Sequence, residues 1–154
     1  MAAGKGIRVK AVLLGVLTDI GGSVVVGIVI GVVIGVVLAA RGVPANEIAA
    51  RLHGVAVLIP SLVLGFGFTA LGGYVAGRVA KQSEVLHGGI VGAIGIPFGL
   101  LFAASLPLWY SIVSIVGVVP FGMLGGLFAR QKRKPEQEMS NPASQPIAGK
   151  PGSG

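Results

Sequence analysis

Apolar residues in this chain neither alternate with polar ones, as on a half-buried strand, nor gather on one stripe, as on a soluble helix; they run on without relief. Ala11 to Ala40 is broken by one charge, Asp19, and a second apolar run extends from about Gly54 to Gly77. From Leu86 to Ala129 there is no charged residue at all. One crossing of a bilayer core needs about 20 residues, so this last stretch holds two crossings. They run from about Leu86 to Ser105 and from about Leu108 to Ala129, with Ser105-Leu106-Pro107 as the turn. The pattern predicts an all-α membrane protein, with four transmembrane helices in residues 11–130. Residues 1–10 form a basic N-terminal segment.

The first apolar run is too long for a signal sequence, whose h-region is about 7 to 15 residues, and is expected to be a retained span. As straight helix it would measure about 45 Å at ~1.5 Å per residue, well beyond a hydrocarbon core of ~30 Å. A break is expected at Thr18-Asp19-Ile20-Gly21-Gly22, where a charge and paired glycines weaken helix. Pro60, Pro97 and Pro120 fall within the later spans and shape the bundle. Between the first two spans, Glu47 and Arg51 are spaced i,i+4, as are Ile48 and Leu52, which predicts a short amphipathic helix after Pro44. Residues 131–154 are rich in Pro, Ser, Gln, Lys and Gly, and are expected to be a disordered tail.

Small residues recur every fourth position in three spans. The first carries Gly15, Asp19, Ser23, Gly27, Gly31 and Gly35; the second Ser61, Gly65, Thr69, Gly73 and Gly77; the third Gly95, Gly99 and Ala103. Such stripes let helix backbones approach closely in lipid, so the first two spans are expected to be neighbours, and one stripe is free to join a second copy. A related pattern ends two spans: Leu71-Gly72-Gly73-Tyr74-Val75-Ala76-Gly77-Arg78 and Leu124-Gly125-Gly126-Leu127-Phe128-Ala129-Arg130. Two helical hairpins repeated in parallel would produce this likeness, as would composition alone.

Composition agrees with lipid as the solvent, since hydrophobic residues far outnumber charged ones. Of 154 residues, 53% are hydrophobic, 11% are charged and 27 are glycine. The absence of cysteine removes disulfides and thiolate chemistry. The net charge of +7 is not spread evenly. Lys5, Arg8, Lys10, Arg78, Lys81, Arg130, Lys132, Arg133 and Lys134 flank one side of the spans, against Arg41 and Arg51 on the other. The positive-inside rule then places both termini in the cytoplasm, with the basic clusters as orientation signals rather than a nucleic-acid surface.

Asp19 is the single acid inside a span, and an intramembrane carboxylate is a candidate functional group. Its candidate partners are Thr18, Ser23 or exposed backbone, or Arg78 and His87, which are expected on the same cytoplasmic side. His53 and His87 belong to opposite faces and cannot share a metal, so neither metal nor cofactor is expected. No nucleophile, base and oxyanion donors converge, so an enzyme is not expected.

Lys10 to Gly15, Asp19-Ile20-Gly21-Gly22-Ser23, Gly72-Gly73-Tyr74-Val75-Ala76-Gly77-Arg78 and Leu86-His87-Gly88-Gly89 resemble small prokaryotic four-span membrane proteins, a group with no assigned activity. The resemblance implies a multi-pass inner-membrane protein. On this reading the chain is a non-enzymatic glycine-rich bundle serving membrane packing or protein interaction, with Asp19 as a buried polar tie. The alternative is a small proton-coupled transporter or channel acting as a homo-oligomer with Asp19 as its ion-binding carboxylate, similar in outline to small multidrug-resistance proteins. Against it stand the lack of an aromatic near Asp19 in sequence and the strong charge bias. Docking of a soluble partner or an anionic membrane surface through Arg130 to Lys134 is a third reading.

Overall fold

Backbone polar groups have no water to bond in a bilayer core, so apolar segments of this length must close their hydrogen bonds internally as helix. The computed structural model describes residues 6–140. It consists of α1 Val9–Ala40, α2 Ala45–Leu52, α3 Val55–Ala80, α4 Glu84–Ala103 and α5 Leu108–Ser140, with no strand among the described residues. Among the described residues four helices, α1, α3, α4 and α5, are long and apolar enough to cross a membrane. The chain is a multi-pass helical membrane protein.

α2 is the short helix expected in the first loop, and its Arg51 reaches Glu47 at 3.3 Å. The α4–α5 turn falls at the expected place, between Ala103 and Leu108. Two expectations are corrected. α1 passes through Thr18 to Gly22 as unbroken helix for 32 residues. The strain expected there is absent because the sites are supported: Gly22 lies where the Phe68 ring of α3 leaves no room for a side chain, Thr18 Oγ1 donates to the Leu14 carbonyl at 2.8 Å, and Asp19 finds a hydroxyl on α3. The second correction is at the other terminus, where Gln131 to Ser140 continue α5 rather than beginning a tail without fold. Gln, Lys, Arg, Glu and Met are good helix formers, and Arg133 anchors the extension. The rest of the expected tail, 141–154, lies outside the described residues.

α3 packs against all three other spans, whereas α1 touches α3 and α4 but not α5 among the described residues. A parallel two-fold would exchange the α3–α4 and α1–α5 contacts, and among the described residues only the first exists. The glycine motif therefore recurs in sequence while the packing around its two copies differs.

The crossings are made by glycine. A Cβ on Gly15 of α1 would stand 2.6 Å from the Gly72 carbonyl oxygen of α3. Gly73 of α3 and Gly88 of α4 both press on the backbone of Gly122 in α5, so three helices meet at one residue. Gly126 lies against Glu84, and Gly77 is close to both Ala129 and Glu84. Gly95 touches Val118. By contrast, Gly27, Gly31 and Gly35 of α1, Gly65 of α3 and Gly99 of α4 face open space, with nothing within 4 Å of where a side chain would begin. Of the glycines expected to pack, Gly15, Gly73, Gly77 and Gly95 do so within the chain and these five do not. The bundle is tight where the start of α1 meets the α3–α4 turn and splayed toward α2.

Polar ties reinforce the tight end. The buried His87 Nε2 accepts the Arg8 backbone N–H at 3.0 Å, joining α4 to the start of α1. Gln82 in the α3–α4 turn donates to the Gly6 carbonyl at 3.0 Å. In that turn Lys81 and Ser83 take left-handed backbone angles, with φ of 57° and 47°. Arg133 of α5 fastens the turn, its guanidinium donating to the Lys81 carbonyl and, at 2.8 Å, to the Glu84 carboxylate. Arg133→Ala is expected to lower stability in micelles by about 1–2 kcal/mol, the scale of charge-assisted hydrogen bonds. The exposed Arg51–Glu47 pair should behave differently. Because such surface pairs contribute about 0–1 kcal/mol, Arg51→Ala should leave the unfolding midpoint nearly unchanged in the same titration.

Candidate intramembrane polar site

Where the helices diverge from their glycine crossings they leave a partly open cavity of about 600 Å³ between them. All four spans line it. α1 contributes Asp19, Ile20, Ser23 and Val24; α3 Leu62, Gly65, Phe66 and Thr69; α4 Gly95, Ile96, Phe98 and Gly99. Leu106 of the α4–α5 turn and Tyr110, Ser111, Ser114, Ile115 and Val118 complete the wall. The size is within the ~300–1,000 Å³ common for small-molecule sites, as is the mixture of apolar surface and a few polar groups.

Asp19 is 6% exposed. It stands one helical turn beyond Gly15, so the closest α1–α3 crossing carries its carboxylate toward α3. Thr69 Oγ1 is 3.0 Å from Asp19 Oδ1 and 3.1 Å from the Gly65 carbonyl one turn back on its own helix. A hydroxyl has one proton and two lone pairs, so Thr69 can serve either form of the acid. It donates to the carboxylate; when Asp19 is protonated, it donates to Gly65 and accepts from the acid. Neither state leaves a buried polar group without a partner, the condition that otherwise makes such groups costly in lipid. Across the cavity Ser111 Oγ lies 3.4 Å from the Ala103 carbonyl and 3.5 Å from the Pro107 carbonyl.

Aromatic rings narrow the space. Phe66 stacks on Phe121 of α5 with ring centroids 4.4 Å apart, and Gly117 leaves room for the Phe66 ring. Phe98 and Tyr110 line other parts of the wall.

Asp19 and its expected partners Ser23, Arg78 and His87 separate into two places. Asp19 and Ser23 line the cavity. His87 belongs to the tight end, where Nδ1 lies 3.0 Å from the Ser83 carbonyl while Nε2 accepts from Arg8. That pair of bonds fits the neutral ring with its proton on Nδ1. Arg78 is nine residues past Thr69 on α3, about 13.5 Å at ~1.5 Å per residue, and so also lies toward the tight end. His87→Ala should fray the start of α1, seen as faster amide exchange at Val9 to Val12 with the α3–α5 contacts unaffected.

Sequence reasoning does not anticipate Thr69, Phe66, Phe98, Tyr110, Ser111 and Ser114 at the site. Only Thr69 carries a signal, since it occupies the small-residue stripe that faces the first span. The aromatics come from three different spans, and no local spacing reveals that they converge. Comparisons with protein families, curated proteins and solved structures returned no match for this chain.

Proposed function

We propose that this protein is a small, non-enzymatic membrane carrier whose inter-helix cavity takes an apolar organic molecule bearing one positive charge, with Asp19 as the counter-charge. The observation that carries this reading is the placement of a carboxylate from the interior of a span in the wall of an aromatic-lined cavity to which all four spans contribute. An intramembrane acid is expensive to keep and usually marks an ion or substrate path. One of the two sequence arguments against transport, the lack of a nearby aromatic, loses its force here. Asp19 has no aromatic nearby in sequence but shares its cavity with Phe66, Phe98 and Tyr110, and it has Thr69 as a second polar group deep in the bundle. The Thr69 hydroxyl gives the acid a partner in both protonation states, which suits exchange of a proton for a cation.

The same reading places the chain in the inner membrane of a prokaryote with both termini cytoplasmic, on the strength of the charge bias, and near the uncharacterised four-span group whose glycine motifs it resembles. A homo-oligomer is favoured by Gly27, Gly31 and Gly35, which present a small-residue stripe with nothing against it. The lipid bilayer is its medium, and no nucleic-acid role is assigned.

The test is equilibrium dialysis of tetraphenylphosphonium, with neutral triphenylphosphine as the comparison, against purified protein in detergent. Saturable binding of the cation is expected. Gly65→Leu and Gly99→Leu add bulk where the cavity has room. Each should reduce binding at least ~10-fold, equivalent to about 1.4 kcal/mol. Non-saturable partition of the cation, or unchanged binding in both filled variants, would overturn the reading.

A further inference from the structure

A second concavity lies on the outer surface between α3 and α5, with a volume of about 370 Å³. It is separate from the cavity beside Asp19, and its wall is ordered by polarity. Gly67, Ala70 and Leu71 of α3 and Phe128 of α5 make an apolar trough; Tyr74 and Lys132 close one end. From Gly67 to Tyr74 the trough rises about 10.5 Å along α3 at ~1.5 Å per residue. α3 and α5 run in the same direction, so Phe128 and, one turn later, Lys132 advance toward the same end of the molecule. The Lys132 ammonium sits 5.9 Å from the centroid of the Tyr74 ring. Lys132 itself is exposed.

An apolar channel along the direction of the spans, capped by one cation and an amphipathic phenol, has the polarity profile of a phospholipid: hydrocarbon in the trough and phosphate at the basic end. We propose that this groove is a binding site for an anionic phospholipid. A single acyl chain lies along Gly67, Ala70, Leu71 and Phe128, and the phosphate is held by Lys132. Charge complementarity selects the occupant. The one charged residue in the wall is Lys132, and the chain carries a net +7, so a zwitterionic lipid would gain less there than an anionic one. A basic side chain closing an apolar groove between spans is a setting in which lipid headgroups are recognised. Gly67 is what leaves the trough open, because nothing lies within 4 Å of where its side chain would begin.

Native mass spectrometry of the full chain, released from mixed micelles with equal phosphatidylglycerol and phosphatidylcholine of identical acyl chains, tests the site. The wild type should retain phosphatidylglycerol at least ~5-fold over phosphatidylcholine, an expected contrast of about 1 kcal/mol. Lys132→Gln should abolish that preference while still carrying lipid. Gly67→Leu, which fills open space and therefore folds, should lose both retention and preference. Millimolar inorganic phosphate should not displace the lipid. Equal retention of the two lipids by the wild type, an unchanged preference in Lys132→Gln, or displacement by phosphate alone would each overturn the assignment.

Discussion

Gly122→Leu is expected to abolish the folded bundle or to destabilise it by at least about 3 kcal/mol, the upper part of the range for overpacking a core. A Cβ on Gly122 would run into the α4 backbone at Gly88 and Gly92, so a side chain there must push α4 away from α5. None of these obstructions is the end of a flexible side chain; all are main chain, which cannot step aside. Even Gly122→Ala should be measurably harmful, although alanine is the better helix former by about 0.8–1.0 kcal/mol. Gly31→Leu provides the contrast, since it meets nothing within 4 Å and gains helix propensity. Unfolding in mixed micelles of sodium dodecyl sulfate, followed by circular dichroism, should show a lost or strongly shifted transition for Gly122→Leu and one near wild type for Gly31→Leu. Similar transitions for both would mean that the glycine crossing does not hold the bundle together.

Asp19→Asn should have the second large effect, on binding and transport rather than on folding. Asparagine keeps the shape and an oxygen for Thr69, so the bundle should remain intact. The negative charge is removed, and affinity for a lipophilic monocation should fall at least ~10-fold, equivalent to about 1.4 kcal/mol, while a neutral isostere binds as before. In proteoliposomes, cation-dependent proton flux should vanish with this change. Thr69→Val leaves the acid in place without its hydroxyl partner and should weaken binding less than Asp19→Asn does. Flux that survives Asp19→Asn, or equal loss of the charged and neutral ligands, would separate Asp19 from any role as counter-charge.

The four spans are legible in the sequence because length and hydropathy in a membrane protein leave few alternatives: a charge-free stretch twice the length of one crossing has to fold back, and it does so beside Pro107. The Glu47–Arg51 spacing likewise points directly to α2. Residues such as Asp19 and Gly22 mislead for a different reason. Each is unfavourable in an isolated helix, and their cost disappears only through Thr69 and Phe68, which are far along the chain. Glycine spacing identifies helix faces but not their neighbours. At 3.6 residues per turn the series from Gly15 to Gly35 swings by about 200° around α1, and this swing together with the divergence of α1 from α3 leaves one covered and the other open. The cavity is a product of that divergence and so has no local sequence signature.

α1 has 32 residues against 20 in α4. The difference amounts to about 18 Å at ~1.5 Å per residue within one molecule. A bilayer thin enough to match the shorter helix leaves the longer one with surplus hydrocarbon, which is relieved by leaning or by thickening the lipid around it. The leaning portion is the half of α1 beyond Ser23 that no other helix restrains through Gly27, Gly31 and Gly35. Lipid thickness therefore bears on the tilt of α1 more than on that of the shorter spans.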